Sequence, residues 1–172
     1  SVEAYTGTEW TPLPPMPHDA LLATACVLNG RLHVIGGMQS STHQVLEMTE
    51  ENGLSWSRKA DLPADRCSAA SVVHEGRIWV IGGYVGEHKQ RSASVITYDA
   101  QADTWRTGPP LPHECAGCRA ATIEGCISLH GHNGNFMYGE EGRHGGGWRE
   151  IGAGGAEVFR LGNAACETLS LG

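Results

Sequence analysis

The sequence lacks long apolar runs and clusters of basic residues. Its longest apolar stretch, residues 20–28, is too short to cross a bilayer, and no basic segment precedes it as a signal peptide requires. The formal net charge is -7 at pH 7, and an acidic domain repels phosphate backbones. We therefore expect contact with neither membranes nor nucleic acids.

Motifs that carry out chemistry are also missing. The sequence contains no nucleophile elbow, P-loop, dinucleotide fingerprint or HExxH pair. It has no Asn-x-Ser/Thr sequon, and three of its six cysteines lie in apolar, strand-like segments. These absences predict a cytoplasmic protein that is not an enzyme and needs no metal or other cofactor.

Glycines at regular places and recurring hairpins are the main features present. The sequence has 24 glycines, and three segments share one pattern of strand, two-residue turn and strand: residues 23–37, 69–83 and 119–132. Their turns are Asn29-Gly30, Glu75-Gly76 and Glu124-Gly125. Asn-Gly supplies both positive φ angles of a type I′ turn, and Glu-Gly supplies at least one. The pattern predicts an all-β fold.

Tryptophans recur in phase with these hairpins. Each of three pairs is separated by 20 residues: Trp10 and Gly30, Trp56 and Gly76, and Trp105 and Gly125. Third strands are predicted at residues 44–48, 94–98 and 135–138, and a fourth strand at Trp56, Trp105 and Trp148. We expect Trp105 to be a buried anchor between neighbouring blades, because a four-stranded blade must bury both of its apolar faces.

Gly-Gly, then Tyr, then Trp, in units of about 50 residues, resembles the kelch pattern. Residues 94–105 match best; Met48 replaces the tyrosine in the first repeat, and Gly131-His132 replaces Gly-Gly in the third. The resemblance implies a β-propeller with three complete four-stranded blades in a single domain, residues 1–172. The blades are assigned to residues 20–61, 66–110 and, in degenerate form, 115–152.

The terminal strands leave two arrangements open. Residues 1–15 supply third and fourth strands, and residues 160–172 stand where first strands belong. Together they would complete a fourth blade, and four blades is the lower limit for a propeller. The alternative is a fragment of a longer propeller, with open blade edges that could support self-association.

Cysteine and histidine pairs allow further alternatives. Cys115 and Cys118 are half of a zinc motif, a redox pair or structural residues. Cys67 follows Arg66 and is a candidate sensing thiol, since the kelch family includes a cysteine-based stress sensor. His130 and His132 share one strand face, where they could bind a metal or simply be polar replacements.

The loops predict a binding face. Loops after the second strands include residues 38–43, 84–91 and 132–135. Rigid scaffolds commonly present binding residues on such loops. The candidates combine aromatic, cationic and polar side chains: Arg66, Tyr84, His88, Lys89, Arg91 and Asn133. In substrate-adaptor kelch domains an arginine placed like Arg66 pairs with acidic peptides, but the equivalent positions here are Ala20 and Cys115.

The resemblance therefore implies a module that binds a protein or peptide partner. One setting for such a module is substrate recognition in a ubiquitin-ligase adaptor, which would need a BTB domain. Two alternatives stay open. The chain could be a kelch-type enzyme or a propeller that binds a small ligand or metal, or it could be a structural, self-assembling repeat unit.

Overall fold

The chain folds entirely as β-strands and turns wherever its structure is described. The computed structural model describes residues 1–49, 53–131, 134–139 and 147–151. Within these ranges there is no helix, and accordingly no helix that is long and apolar enough to span a membrane. The predicted all-β class is confirmed.

The described residues contain seventeen strands, which are arranged in five antiparallel sheets. In chain order they are β1 (Val2–Tyr5), β2 (Trp10–Leu13), β3 (Thr24–Leu28), β4 (Arg31–Ile35), β5 (His43–Thr49), β6 (Gly53–Arg58), β7 (Arg66–Cys67), β8 (Ala70–His74), β9 (Arg77–Ile81), β10 (Tyr84–Val85), β11 (Gln90–Arg91), β12 (Val95–Asp99), β13 (Thr104–Thr107), β14 (Arg119–Ile123), β15 (Cys126–Gly131), β16 (Gly134–Gly139) and β17 (Gly147–Ile151).

Three of the sheets are four-stranded blades. Blade one contains β3–β4–β5–β6, blade two contains β8–β9–β12–β13, and blade three contains β14–β15–β16–β17. The two smaller sheets are the pair β1–β2 and the ladder β11–β10–β7. Side chains link the first strands of adjacent blades: the hydroxyl of Ser71 donates to the carbonyl of Ala25 at 3.0 Å, and that of Thr122 donates to Val73 at 2.7 Å. The first strands therefore lie side by side.

The first turn of each blade has the same backbone conformation. Asn29, Glu75 and Glu124 have φ angles of 53°, 51° and 50°, and each is followed by a glycine with positive φ. The two glutamates thus adopt the left-handed region as fully as the asparagine does. Type I′ geometry requires this at both turn positions, because only that twist matches the flanking strands.

Strand register corrects the position of the first repeat's tyrosine equivalent. Tyr98 pairs with Trp105, whereas the residue that pairs with Trp56 is Leu46. Met48, which the sequence pattern assigned to this position, pairs elsewhere and is 72% exposed. The β5–β6 ladder continues further beyond its tryptophan than the β12–β13 ladder does, so a count along the strand misplaced the position by two residues.

Blade two buries both of its faces. In β9 the side chains alternate: Ile78 and Val80 pack in one core with Ile35 of blade one, while Trp79 and Ile81 pack in a second core with Leu129 of blade three. Alternate residues of a strand point to opposite faces, so one run of apolar residues serves two interfaces. The stability of the array therefore resides between the blades.

Each fourth-strand tryptophan reaches back to the segment leaving the preceding blade. The indole nitrogens of Trp56, Trp105 and Trp148 donate to the carbonyls of Pro14, Ala60 and Pro109 at 2.7, 2.8 and 2.9 Å. The predicted contact of Trp105 between blades is present. Its side chain is half-buried, because one edge of the outermost strand faces solvent.

A pair of histidines lies in the interface between blades one and two. His33 and His43 are 3% and 0% exposed, and Nδ1 of His33 lies 2.8 Å from Nε2 of His43. The ring of His43 also packs edge-on against Tyr98 of blade two, with 4.5 Å between ring centroids. The pair is thus a hydrogen-bonded polar unit inside an otherwise apolar interface.

Gly82→Ala is expected to destabilise the protein by about 2 kcal/mol more than Gly76→Ala. A Cβ at Gly82 would lie 2.3 Å from the carbonyl oxygen of Cys115, whereas one at Gly76 meets nothing within 4 Å. Both glycines have positive φ, +64° and +70°, so the backbone strain is shared and the difference isolates the clash. Urea denaturation of both variants measures it, and equal losses would contradict the close approach.

Candidate binding face

Loops that follow the second strands lie against the segment leading into the next blade. The amide of Gly37 donates to the carbonyl of Arg66 at 2.8 Å, and the amide of Gly83 donates to that of Cys115 at 2.6 Å. We call this surface the loop face and define it by residues 20–23, 36–42, 66–69, 82–94 and 115–118. Because these bonds join two blades each, the propeller itself positions the loop face.

Three equivalent residues continue this linkage from blade to blade. Leu22, Ser68 and Gly117 all have positive φ, at 59°, 52° and 69°. The amide of Ser68 donates to the carbonyl of Leu22 at 2.9 Å, and the amide of Gly117 donates to that of Ser68 at 2.8 Å. This feature is not evident from the sequence, because among the three residues only Gly117 indicates a left-handed backbone.

The predicted loop at residues 84–91 is instead a short hairpin. Tyr84 pairs with Arg91 in β10–β11, and on its other side Tyr84 pairs with Cys67 of β7. Lys89 has a φ of 49°, and its amide donates to the carbonyl of Gly86 at 3.0 Å. The hairpin is thus the outer part of a three-stranded sheet, which holds its side chains in place.

The candidate side chains of this hairpin differ in how accessible they are. Tyr84 is half-buried, while His88 and Arg91 are exposed. The ammonium group of Lys89 forms an ion pair with the carboxylate of Asp65, which neutralises its charge and ties the turn to the loop face. Asn133 lies outside the described residues, so its place on the face stays a prediction.

Arg66 is on the loop face by its backbone but not by its side chain. The side chain is buried, at 6% exposed; its guanidinium donates to the carbonyl of Gly82 and, at 2.8 Å, to the hydroxyl of Ser94. Burial lowers the pKa of this guanidinium, which nevertheless stays charged because arginine ionises so strongly. In this conformation Arg66 fastens blade two internally, so it is unavailable for the partner contact that the sequence analysis expected.

An exposed apolar patch lies on the loop face next to β7, to which its segment is hydrogen-bonded. Leu21, Leu22 and Met38 are 63%, 47% and 47% exposed. The amide of Met38 donates to the carbonyl of Leu21 at 2.7 Å, which holds the two residues together. Met38 was predicted to lie on this face. The two leucines were not, because they belong to an apolar stretch whose strand begins only at Thr24.

Comparison with known proteins agrees with this architecture. Residues 65–112 match the family model of the kelch motif. The fold is that of a kelch β-propeller. Among solved structures, one titled "Structure of YjhT" aligns with a TM-score of 0.61 at 21% identity. The alignment covers 68% of this chain and 35% of that one.

The kelch match is limited in extent. The motif model covers the region of blade two, in which Gly-Gly, Tyr98 and Trp105 are all present. The chain spans about a third of the length of the aligned structure, since the alignment covers 35% of that structure's chain. No curated protein sequence matches the chain.

The cysteines of the described residues fall into two groups. Cys115 and Cys118 are joined as a disulfide. Cys26, Cys67 and Cys126 are free. Cys67 is buried, at 3% exposed, and burial raises the pKa of Cys26 to about 11. Burial thus limits access to Cys67, and the raised pKa of Cys26 disfavours its thiolate.

The histidines of blade three have ordinary polar partners where they are described. His130 lies 2.7 Å from the hydroxyl of Ser128 through Nε2 and 3.2 Å from the amide oxygen of Asn135 through Nδ1. His132 and His144 lie outside the described residues. In the part of the chain that the structure describes, no group of three or more His, Cys, Asp or Glu side chains could hold a metal ion.

Proposed function

We propose that this chain is a kelch-type protein-interaction module whose loop face binds an extended segment of a partner protein. One observation carries the proposal: an exposed apolar patch lies beside an ordered hairpin, on a surface held by bonds between blades. Exposed apolar side chains that cluster on an ordered surface are typical of interaction sites.

The patch supplies the contact area. Leu21, Leu22 and Met38 need no rearrangement to meet a partner, because backbone hydrogen bonds already fix them. Ordering a surface before binding removes part of the entropic cost of association. Methionine is unbranched and adapts to varied apolar shapes, which suits a peptide whose side chains must fit without a deep pocket.

The charges favour a particular kind of segment. Arg91 and His88 are exposed on the hairpin, on the same loop face as the patch, whereas the cation of Lys89 is already paired with Asp65. A local cation on a chain with a net charge of -7 attracts acidic groups to that spot. We infer a partner segment with an apolar anchor and a neighbouring Asp or Glu. Recognition of ubiquitin-ligase substrates is one setting that such a segment would fit.

Replacing Leu21 and Met38 with Ser and Arg91 with Glu is expected to weaken partner binding by about fivefold or more. The changes remove the apolar anchor site and reverse the accessible charge. Partners captured by immobilised wild-type chain are quantified by mass spectrometry and then titrated individually against both proteins.

The matched control carries Met48→Ser and Arg77→Glu. Met48 is also an exposed methionine and Arg77 a half-exposed arginine, but both lie at the ends of strands away from the loop face. Partners retained by this control and lost by the loop-face variant support the proposal. If the loop-face variant keeps its melting temperature and all its partners, binding lies elsewhere.

A further inference from the structure

The Cys115–Cys118 disulfide lies where the chain enters blade three. Both residues are buried, at 0% and 7% exposed. The strand opposite presents Gly131, where a Cβ would lie 2.8 Å from Sγ of Cys115 and 2.5 Å from Sγ of Cys118. The absence of a side chain at Gly131 makes the space that the two sulfurs occupy.

Blade two fills the equivalent space in another way. Arg66 precedes its blade as Cys115 precedes blade three, and the guanidinium of Arg66 donates to the carbonyl of Gly82, the counterpart of Gly131. The third counterpart is Ala20, which has no side chain long enough for either contact. At this position blade one has a short alanine, blade two has an arginine that donates hydrogen bonds to the blade, and blade three has a cysteine joined covalently to Cys118. Of these, only the disulfide can be broken and formed again by a redox reaction.

We propose that Cys115 and Cys118 are a reversible dithiol–disulfide pair whose redox state controls the order of the β10–β11 hairpin. The co-reactant is a small or protein dithiol, as expected for a CxxC pair. One of its thiolates attacks a sulfur of the pair, the S–S bond breaks, and a mixed disulfide forms. Its second thiolate then displaces the chain's sulfur. Two electrons and two protons are thereby passed to the cysteines, and the co-reactant becomes a disulfide.

Reduction must displace the backbone around the pair. Two thiols need van der Waals separation where one covalent bond stood, and the space beside Gly131 is already filled, since a Cβ there would lie within 3 Å of both sulfurs. The backbone of Cys115 carries two bonds to the hairpin's ends: its carbonyl accepts from the amide of Gly83 at 2.6 Å, and its amide donates to the carbonyl of Ser92 at 3.2 Å. Gly83 directly precedes β10, and Ser92 directly follows β11. A displacement of Cys115 therefore loosens both ends of the β10–β11 hairpin.

Two measurements on the intact chain test this. Trypsin cleavage after Arg106 and Arg119 releases residues 107–119, which contain no other cysteine and are lighter by two hydrogens when the disulfide is present. Mass spectrometry of this peptide, alkylated after equilibration in glutathione buffers, gives the oxidised fraction. Hydrogen exchange of the same samples is expected to be about tenfold faster at Gly83 and Cys115 in the reduced form.

Two variants complete the test. Cys115→Ser with Cys118→Ser should exchange like the reduced form in every buffer, and Cys26→Ser, which removes a free thiol, should respond like wild type. A peptide that stays in the dithiol form in oxidising buffer, or equal hairpin exchange in both redox forms, overturns the proposal. It rests on the proposed function only in placing the hairpin at the binding face; amide exchange needs no partner, so the two can fail separately.

Discussion

Trp105→Ala is expected to lower the free energy of unfolding by about 3–5 kcal/mol. The indole packs on Tyr98 and on His43, with 5.0 and 5.5 Å between ring centroids, and its nitrogen donates to the carbonyl of Ala60 at 2.8 Å. Truncation removes contacts within blade two and across the interface with blade one, and it leaves that carbonyl without its partner. Urea denaturation monitored by circular dichroism measures the loss.

Two further variants separate the contributions. Trp105→Phe keeps an aromatic ring but removes the indole N–H, so it should lose only about 1 kcal/mol from the missing hydrogen bond plus part of the packing. Trp10→Ala should lose less than Trp105→Ala, because the side chain of Trp10 is 66% exposed. A loss below about 1 kcal/mol for Trp105→Ala would show that the tryptophan does not anchor the blades.

Acidification from pH 6.5 to pH 4 is expected to destabilise the chain by about 5 kcal/mol through the His33–His43 pair. Burial lowers the pKa of each imidazole from 6.5 to about 4. Between these values the unfolded chain takes up protons at both residues while the folded chain does not, so stability falls as the pH falls. Above pH 6.5 there is no such loss of stability, because both imidazoles are neutral in the folded and the unfolded chain. Below pH 4 the loss grows no further, because the folded chain takes up protons as well.

Charged neighbours act in both directions on this pair. The pKa of His33 is lowered by the charges of Lys59 and Arg31 and raised by that of Glu47. The pKa of His43 is lowered by the charges of His33 and Lys59. It is raised by a backbone hydrogen bond with Ala60 and by the charge of Asp103. Burial is the largest cause for both histidines, so the neutral forms prevail in the folded chain. The two rings cannot readily be protonated at the same time, because two facing N–H groups would repel each other across the 2.8 Å between their nitrogens.

The measurement is a series of urea denaturations at half-unit pH steps. The control is His33→Leu with His43→Val, since the equivalent strand positions in blade two are occupied by the apolar Trp79 and Val95. This variant should lose most of the slope between pH 6.5 and pH 4. A wild-type slope that persists in the variant would assign the acid sensitivity to other groups.

The repeat pattern predicted the strands well because each blade solves the same packing problem. Alternating apolar residues, turn glycines and phased tryptophans are local signals, and strands β3, β8 and β14 begin within a residue or two of their expected positions. The pattern failed where a strand's length changed. The longer β5–β6 ladder moved the tyrosine position from Met48 to Leu46.

The loop face could be placed from sequence but not described in detail. Sequence spacing put residues 84–91 on it, yet their pairing with β7 depends on a segment that is distant in the chain. The inward turn of Arg66 depends likewise on carbonyls contributed by Gly82 and Ser94. Such contacts leave no periodic trace, since each occurs once. Leu21 and Leu22 were not predicted to be exposed, because they look like the start of the apolar strand that follows them.

The tryptophan contacts give the array a direction of assembly. Each of the three indoles donates to a carbonyl that lies earlier in the chain: Trp56 to Pro14, Trp105 to Ala60 and Trp148 to Pro109. During synthesis on the ribosome, every blade therefore emerges after the docking point that its last strand requires. The indole contact of each blade can therefore form as soon as its last strand has been made.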